Sequence, residues 1–149
     1  MRILIACSSG GHLAQALALE PWWGEHERLW VTGPTEDARM KLRDERVIEC
    51  AWPTQRNLPN LARNMVLARR VVDEWRPDVV FSTGAAVAVP FLRQARRVGA
   101  RSIFLETIDR IDKPSLTGRL VYPFVDEYLT QWDQLTEKLP RAQTVGLVL

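Results

Sequence analysis

The chain has 149 residues, of which 46% are hydrophobic and 26% charged, a composition typical of a folded globular domain and unlike disordered or fibrous chains. Twenty Lys and Arg against 18 Asp and Glu give a net charge of +2, too balanced to indicate nucleic-acid binding. The opening run MRILIA is far shorter than a signal peptide or a spanning helix requires. We therefore expect a single domain, residues 1–149, with any membrane contact made from its surface.

Short apolar runs alternate with stretches of helical period, which favours βαβ units and a parallel sheet. Strands are predicted at 2–6, 28–32, 47–50, 79–82, 102–106, 127–131 and 144–148. Helices are predicted at 12–19, 36–44, 57–75, 86–98 and 116–122. The predicted fold class is α/β, with a doubly wound, Rossmann-like parallel sheet flanked by helices. Ligands of such folds bind beyond the carboxyl ends of the strands, so the loops there are the candidate site.

The first of these loops is SSGGH, residues 8–12. Its glycines allow a tight turn, and amides at the following helix N-terminus suit an anion, so Ser9, Gly10 and Gly11 are predicted to bind substrate. His12 is a candidate general base or a polar group that orients a hydroxyl. A close-packed βα turn with a cap-region histidine is the alternative. Neither a dinucleotide fingerprint nor a P-loop occurs in the chain.

Two later loops carry further candidates. Thr83 and Gly84 follow the strand PDVVFS, and the small residues after them allow a ligand to approach closely, although they also suit tight helix packing. The loop ETIDR, residues 106–110, places two carboxylates, a hydroxyl and a guanidinium after another strand. That chemistry suits a sugar, and Arg110 is able to clamp a phosphate. A solvated polar loop is the alternative.

Cysteine and histidine usage limits cofactor chemistry. Cys7 and Cys50 lie in apolar strand-like runs, so we expect buried free thiols in a reducing cytosol. His26 lies in the polar run GEHER and is expected on the surface. Two histidines and two separated cysteines form no zinc pattern, and we expect neither a metal nor another cofactor.

The helix at 57–75 combines apolar and basic residues. Apolar side chains recur every three or four positions and are expected to face the core: Leu58, Leu61, Met65, Ala68, Val72 and Trp75. Tryptophans and arginines nearby are suited to an anionic membrane surface, and the predicted membrane-facing residues are Trp52, Arg56, Arg63 and Arg69. Trp22 and Trp23 also lie near predicted element ends. A subunit interface or ordinary partial burial would use the same residue types.

Three stretches carry a resemblance to a known family. The run FLETIDRIDKPSLTGRLVYPFVDEYLTQW, residues 104–132, resembles a signature of the membrane-anchor subunits of the two-subunit N-acetylglucosaminyltransferase of lipid-linked oligosaccharide synthesis. Bacterial PssD proteins of exopolysaccharide synthesis share it. The runs SSGGH and PDVVFSTGAAVAVPF resemble the family's other motifs, and the same order recurs in the N-terminal half of MurG, a GT-B glycosyltransferase.

The resemblance implies that the chain is the N-terminal, acceptor-side half of a GT-B architecture. A separate, PssE-like subunit would supply most of the UDP-sugar site. The implied reaction transfers a sugar from a UDP-sugar to a polyprenyl-diphosphate-linked acceptor, at the inner, cytoplasmic face of the membrane. In that reaction His12 is the first candidate for the catalytic base and Glu106 the second, while Ser9, Gly10, Gly11, Thr83, Gly84, Thr107 and Arg110 are predicted to bind substrate.

Three departures from the family pattern bear on these roles. The chain lacks the N-terminal spanning helix of the eukaryotic subunits, Thr107 stands where a serine is common, and Asp109 replaces a small residue beside Arg110. Asp109 weakens the case for Arg110 as a phosphate clamp. A non-catalytic module that recruits a catalytic partner is the principal alternative. A nucleotide-binding protein unrelated to sugars is disfavoured by the missing fingerprint.

Overall fold

The computed structural model describes residues 1–148 and contains one parallel sheet in that range. Its strands are β1 (Arg2–Cys7), β2 (Glu27–Thr32), β3 (Val47–Glu49), β4 (Val79–Gly84), β5 (Arg101–Leu105), β6 (Glu127–Thr130) and β7 (Ala142–Thr144). The helices are α1 (Gly11–Ala18), α2 (Glu20–Trp23), α3 (Glu36–Lys41), α4 (Leu58–Trp75), α5 (Ala88–Ala95), α6 (Leu116–Val121) and α7 (Asp133–Lys138). This arrangement confirms the predicted Rossmann-like α/β fold.

The strand order is β3-β2-β1-β4-β5-β6-β7, and every neighbouring pair is parallel. The chain therefore winds outward in one direction from β1 to β3 and in the other from β4 to β7. The direction changes between β1 and β4, where the Ser8 N–H donates to the Gly84 carbonyl at 3.2 Å. Loops diverge from a parallel sheet at such a switch point and leave a crevice for ligands.

Helices cover both faces of the sheet because side chains alternate along each strand. Leu4 and Ala6 of β1 point into the larger core cluster with α4, α5 and α6. Ile3 and Ile5 point into the other cluster, which includes Leu13 of α1. The double burial explains why the central strands are continuous apolar runs instead of alternating ones.

Local signals set the ends of the longest helix. The Asn57 carboxamide oxygen accepts from the Asn60 N–H at 3.0 Å and caps the start of α4. Arg76 adopts a left-handed conformation with φ 50°, and Pro77 follows it, so the helix ends where the sequence predicts. In the described part of the chain, no helix combines the length and the hydropathy that crossing a membrane requires.

Several predicted bounds are wrong. The last strand, predicted at 144–148, is β7 at Ala142–Thr144, because Ala142 is the side chain that reaches the core while Val145 and Leu147 are exposed. The predicted helix at 36–44 ends at Lys41, and that at 86–98 becomes α5 followed by a 3-10 turn at Arg96–Val98. The helices α2 and α7 were not predicted, since four and six residues show little periodicity.

Candidate functional site at the topological switch point

His12 and Thr83 bind each other across the switch point. The His12 ring nitrogen Nδ1 lies 2.8 Å from the Thr83 carbonyl oxygen, and the Thr83 hydroxyl donates to the His12 carbonyl at 2.8 Å. A carbonyl only accepts, so Nδ1 of the neutral ring carries the proton and Nε2 carries the lone pair. The backbone therefore selects the tautomer in which Nε2 can accept a proton.

Gly84 fits beneath the His12 ring. Its φ of 116° is a conformation that side chains rarely adopt, and a Cβ atom there would lie 2.9 Å from His12 Cε1. Ser82 holds this turn, since its hydroxyl donates to the Ala6 carbonyl at 2.5 Å and accepts from the Gly84 N–H at 3.0 Å. Thr83 and Gly84 are both buried, and both contact His12.

The glycine turn after β1 is open but already holds a carboxylate. No heavy atom lies within 4 Å of a Cβ built on Gly10 or Gly11, and the neighbouring Ser9 is half-buried. The Gly10 N–H donates to Asp37 Oδ2 at 3.2 Å, and Lys41 lies 2.8 Å from the other Asp37 oxygen. Lys41 and the Gly10 amide together lower the pKa of Asp37. The expectation of free amides is therefore wrong for Gly10, which is paired with Asp37.

Glu106 lies inside the protein, with 1% of its surface exposed. Its Oε1 accepts from the Ser115 N–H at 2.8 Å, from the Ser115 hydroxyl at 3.1 Å and from the Tyr128 hydroxyl. A side chain on Gly118 would overlap both Glu106 and Tyr128. Burial and the neighbouring Glu106 raise the pKa of Tyr128. This geometry makes Glu106 an anchor for the start of α6, and its burial does not favour the catalytic role predicted for it.

The loop after Glu106 carries the remaining polar candidates. The Thr107 hydroxyl donates to Asp109 Oδ1 at 2.5 Å, and Arg110 Nε lies 3.4 Å from Asp109 Oδ2. The Thr107 hydrogen bond lowers the pKa of Asp109, with smaller contributions in the same direction from Arg110 and His12. Arg110 is exposed and forms an ion pair with Asp109, which replaces a small residue of the family pattern.

Two glutamines tie this loop to α1. Gln15, three residues after His12, accepts through Oε1 from the Ile108 N–H at 3.1 Å and from Gln131 Nε2 at 2.9 Å. Gln131 also donates to the Glu106 carbonyl at 3.0 Å and accepts from the Val148 N–H at 2.8 Å. Sequence reasoning did not single out these residues. The sequence feature that could have pointed to this pair is Gln131, an uncharged polar residue at the carboxyl end of a core strand.

The predicted membrane-facing residues Trp52, Arg56, Arg63 and Arg69 are all exposed. Leu58 and Val66 are 77% and 72% exposed, so the expectation that Leu58 faces the core is wrong. Next to α4, the end of α5 adds three basic residues that the sequence reasoning did not assign to this surface: Arg93, Arg96 and Arg97. These apolar and basic side chains form one surface, which we call the α4–α5 face.

Trp23 belongs to the core. It is 5% exposed, packs edge-on against Trp30 with ring centres 5.5 Å apart, and donates through its indole N–H to the Ala16 carbonyl. Cys7 and Cys50 are buried free thiols, as predicted. Burial raises their pKa values to about 12 and about 11. Among residues 1–148 no three His, Cys, Asp or Glu side chains cluster in a way that would hold a metal ion.

The fold defines a class: Rossmann-like halves of two-domain, GT-B-type proteins. MurG from Acinetobacter baumannii superposes with a TM-score of 0.78 at 16% identity, over 97% of this chain and 44% of that one. The UDP-GlcNAc 2-epimerase from Methanocaldococcus jannaschii superposes with a TM-score of 0.73 at 9% identity, over 98% of this chain and 45% of that one. These similarities establish the fold.

Sequence comparison identifies the family. The family described as "Oligosaccharide biosynthesis protein Alg14 like" matches residues 47–148, and the chain belongs to that family. The UDP-N-acetylglucosamine transferase subunit ALG14 of Yarrowia lipolytica is 33% identical over 94 residues, which are 59% of this chain and 44% of that protein. The family resemblance of residues 104–132 is thereby confirmed.

A second relative matches along nearly the whole chain. It is the UDP-N-acetylglucosamine–N-acetylmuramyl-(pentapeptide) pyrophosphoryl-undecaprenol N-acetylglucosamine transferase of Rippkaea orientalis. The two are 30% identical over 97% of this chain and 43% of that protein. The chain thus spans less than half the length of these two relatives.

Proposed function

We propose that the chain is the acceptor-side subunit of a glycosyltransferase that moves a sugar from a UDP-sugar to a polyprenyl-diphosphate-linked acceptor. The process it would serve is lipid-linked oligosaccharide or exopolysaccharide synthesis. Membership of the Alg14-like family supports the reaction class. The observation that carries the proposal is the His12–Thr83 contact, which holds an imidazole at the switch point with Nε2 available to accept a proton.

In this reaction His12 Nε2 removes the proton from the acceptor hydroxyl as its oxygen attacks the anomeric carbon of the donor sugar. The bond between that carbon and the UDP oxygen breaks, and UDP leaves with the electron pair. His12 becomes an imidazolium, and the Asp109 carboxylate, which is exposed to solvent, adds a favourable charge interaction with it. Thr107 and Arg110 position Asp109 by the two contacts they make with it.

The acceptor diphosphate is proposed to bind at the open glycine turn. Gly10 and Gly11 leave space for it, and backbone amides at the start of α1 favour an anion. Asp37 has to release the Gly10 amide when a phosphate oxygen arrives, and Lys41 is placed to retain the released carboxylate. Ser9 and Arg110 are proposed to complete the acceptor contacts.

A separate donor-binding subunit, resembling PssE, is proposed as the partner. The chain covers less than half of its two-domain relatives, and the sheet described here corresponds to a single Rossmann-like half of MurG. The UDP-sugar would then lie between the two subunits. No other cofactor is proposed, because amides and basic side chains can stabilise the departing diphosphate.

Transfer activity of the mixed subunits tests the catalytic assignment. The chain and a candidate partner would be combined with a UDP-sugar and a polyprenyl-diphosphate-linked sugar. His12→Ala is expected to lower kcat by at least about 100-fold, whereas His26→Ala, half-buried at the amino end of β2, leaves it unchanged. Equal activity of the two variants would overturn the assignment of His12.

Peripheral attachment to the inner face of the membrane is proposed through the α4–α5 face. Exposed apolar side chains such as Leu58 and Val66 would enter the headgroup region, and the surrounding arginines would attract anionic lipids. The double variant Arg63→Ala/Arg69→Ala is expected to reduce sedimentation with anionic vesicles, and added salt should do the same. Arg43→Ala, on the opposite face of the sheet, is the matched control. Binding insensitive to lipid charge and to salt would contradict this attachment.

A non-catalytic recruiting module is the second candidate, favoured by the size of the α4–α5 face and by the burial of Glu106. It predicts that His12→Ala leaves the turnover of the mixed subunits unchanged, while loss of the α4–α5 arginines abolishes turnover on membranes. The same transfer assay, run with membrane-bound and with detergent-dissolved acceptor, separates the two candidates.

A further inference from the structure

A cavity of about 330 Å³ lies between α3 and the edge of the sheet formed by β2 and β3. Its lining mixes apolar and polar side chains: Ala38, Leu42, Val47, Thr32, Arg39 and Glu49. Its volume is at the lower end of the range for small-molecule sites, about 300–1,000 Å³. The reaction proposed above does not use it.

Thr32 at the end of β2 points to this cavity. Trp30, two residues earlier on the same strand, lies in the core cluster with Ala38 and Leu42 of the α3 side, so Thr32 shares that side. Thr32 is 1% exposed, and within residues 1–148 its hydroxyl has no hydrogen-bond partner. A buried hydroxyl without a partner is destabilising, which favours a polar ligand or solvent in the space beside it.

Charged groups lie opposite an apolar floor. Glu49 of β3 is the register partner of Thr32, and its Oε1 accepts from Arg39 Nε at 3.0 Å and Nη2 at 2.8 Å. These contacts use one carboxylate oxygen and leave Arg39 Nη1 and Glu49 Oε2 for other partners. Ala38, Leu42 and Val47 supply the apolar floor. A sugar ring has the matching chemistry, with hydroxyls at its edge and C–H groups on its faces.

The cavity adjoins the acceptor turn. Asp37, which precedes Ala38 on α3, accepts the Gly10 N–H, so α3 lies between the glycine turn and the cavity. The Trp52 ring lies against Gly33, which lines the cavity, and any side chain on Gly33 would overlap that ring. Aromatic rings beside polar groups commonly serve as platforms for ligands with both apolar and polar surface.

We propose that this cavity binds a sugar ring of the acceptor glycan, distinct from the sugar that receives the transferred residue. Thr32, Glu49 and Arg39 bond its hydroxyls, and the apolar floor contacts its C–H face. The assignment rests on the proposed function for the identity of the glycan. The cavity's affinity for a sugar ring is a property of the isolated chain and is measured separately.

An NMR titration of the full isotopically labelled chain with D-glucose and with N-acetyl-D-glucosamine tests the subsite. We expect saturable shifts at the Thr32 and Leu42 methyl groups and at the Trp52 indole N–H. Thr32→Val keeps the side-chain shape and is expected to weaken binding about tenfold, because one hydrogen bond to the sugar is lost. Thr54→Val removes another buried, unpartnered hydroxyl that does not line the cavity, and leaves the affinity unchanged.

Glu49→Gln provides a second variant at an exposed position, and it is also expected to weaken binding. The proposal is overturned if neither sugar shifts these resonances, if Thr32→Val and Thr54→Val bind equally, or if only uridine or a UDP-sugar produces the shifts. Transfer activity without sugar binding in this cavity would contradict the subsite and support the proposed function. Sugar binding in the cavity without transfer activity would support the subsite and contradict the proposed function.

Discussion

The loops that follow β1 and β5 use their polar residues in opposite ways. On the β1 side, Gly10 and Gly11 have open space around them and His12 keeps one ring nitrogen for a ligand. On the β5 side, Glu106 is buried and all of its described contacts are to the protein itself. Glu106, in a loop whose polar residues would suit a sugar, therefore stabilises the fold. His12 remains the candidate catalytic base.

Removing the side chains of Glu106 and His12 should lower the free energy of unfolding by very different amounts. Glu106→Ala leaves the Ser115 and Tyr128 donors buried without an acceptor and is expected to cost about 3 kcal/mol. His12→Ala is expected to cost under about 1 kcal/mol, because the ring is only half-buried. Urea unfolding of both variants measures the difference, with Glu137→Ala at the surface as control. Equal losses would remove the distinction between the two loops.

Glycines on the two sides should respond just as differently. Gly118→Ala forces a methyl group into Glu106 and Tyr128, with an expected loss of about 2 kcal/mol. Gly11→Ala meets open space at the first position of α1 and is expected to change stability by less than about 0.5 kcal/mol. Thermal unfolding of the pair provides the test, and a larger loss at Gly11 than at Gly118 would contradict it.

Gly84→Ala combines backbone strain with a contact to the imidazole. A cost of about 1–2 kcal/mol is expected from the φ of 116°. The Cβ would also push the His12 ring away from the Thr83 carbonyl, so the Nδ1–H resonance of His12 should shift in an NMR spectrum. Ala86→Gly, in the same turn, serves as the control for local flexibility. An unshifted His12 ring would mean that Gly84 does not position it.

Acid stability should report the Thr107–Asp109 hydrogen bond. Since this bond and Arg110 hold the pKa of Asp109 below its unfolded value, the carboxylate stabilises the fold above about pH 4. That contribution is lost as the pH falls through the lower, folded-state pKa. Thr107→Val should therefore bring the unfolding midpoints at pH 6 and pH 3 closer together than in the unmodified chain. An unchanged difference would contradict the assignment.

The smallest expected effect is at the thiols. With pKa values raised by burial to about 12 for Cys7 and about 11 for Cys50, neither forms appreciable thiolate at pH 8. A thiol reagent such as DTNB should label no cysteine in the native protein and two after unfolding in urea. Rapid labelling under native conditions would show that one of these strands opens.

Most of the architecture could be predicted from the sequence because its signals are local. Short apolar runs that alternate with stretches of helical period depend on neighbouring residues alone, and they placed the strands and the long helix that ends before Pro77. Short helices such as α2 lack enough turns to show a period. The end of the sheet was misplaced because Val145 and Leu147 are apolar yet exposed, a fact that depends on packing.

The sequence identified which loops carry the candidate site, but it identified the roles of the residues in those loops only in part. Motif resemblance located SSGGH and the Glu106 loop, yet the burial of Glu106 depends on Tyr128, 22 positions away. The pairing of Gly10 with Asp37 is similarly non-local, over 27 positions. Contacts of this kind leave no periodic trace in a single sequence, so the distinction between a ligand-binding and a structural polar residue had to come from the structure.

The glutamine pair Gln15 and Gln131 has a consequence for motion. Ile108 lies in a half-exposed loop, yet its N–H donates to Gln15 of α1, which also accepts from Gln131, the residue after β6. Its amide hydrogen exchanges with solvent when the hydrogen bond to Gln15 opens. The exchange rate of the Ile108 amide hydrogen thus reports how often the loop after β5 separates from Gln15 of α1. It can be measured without any substrate or partner present.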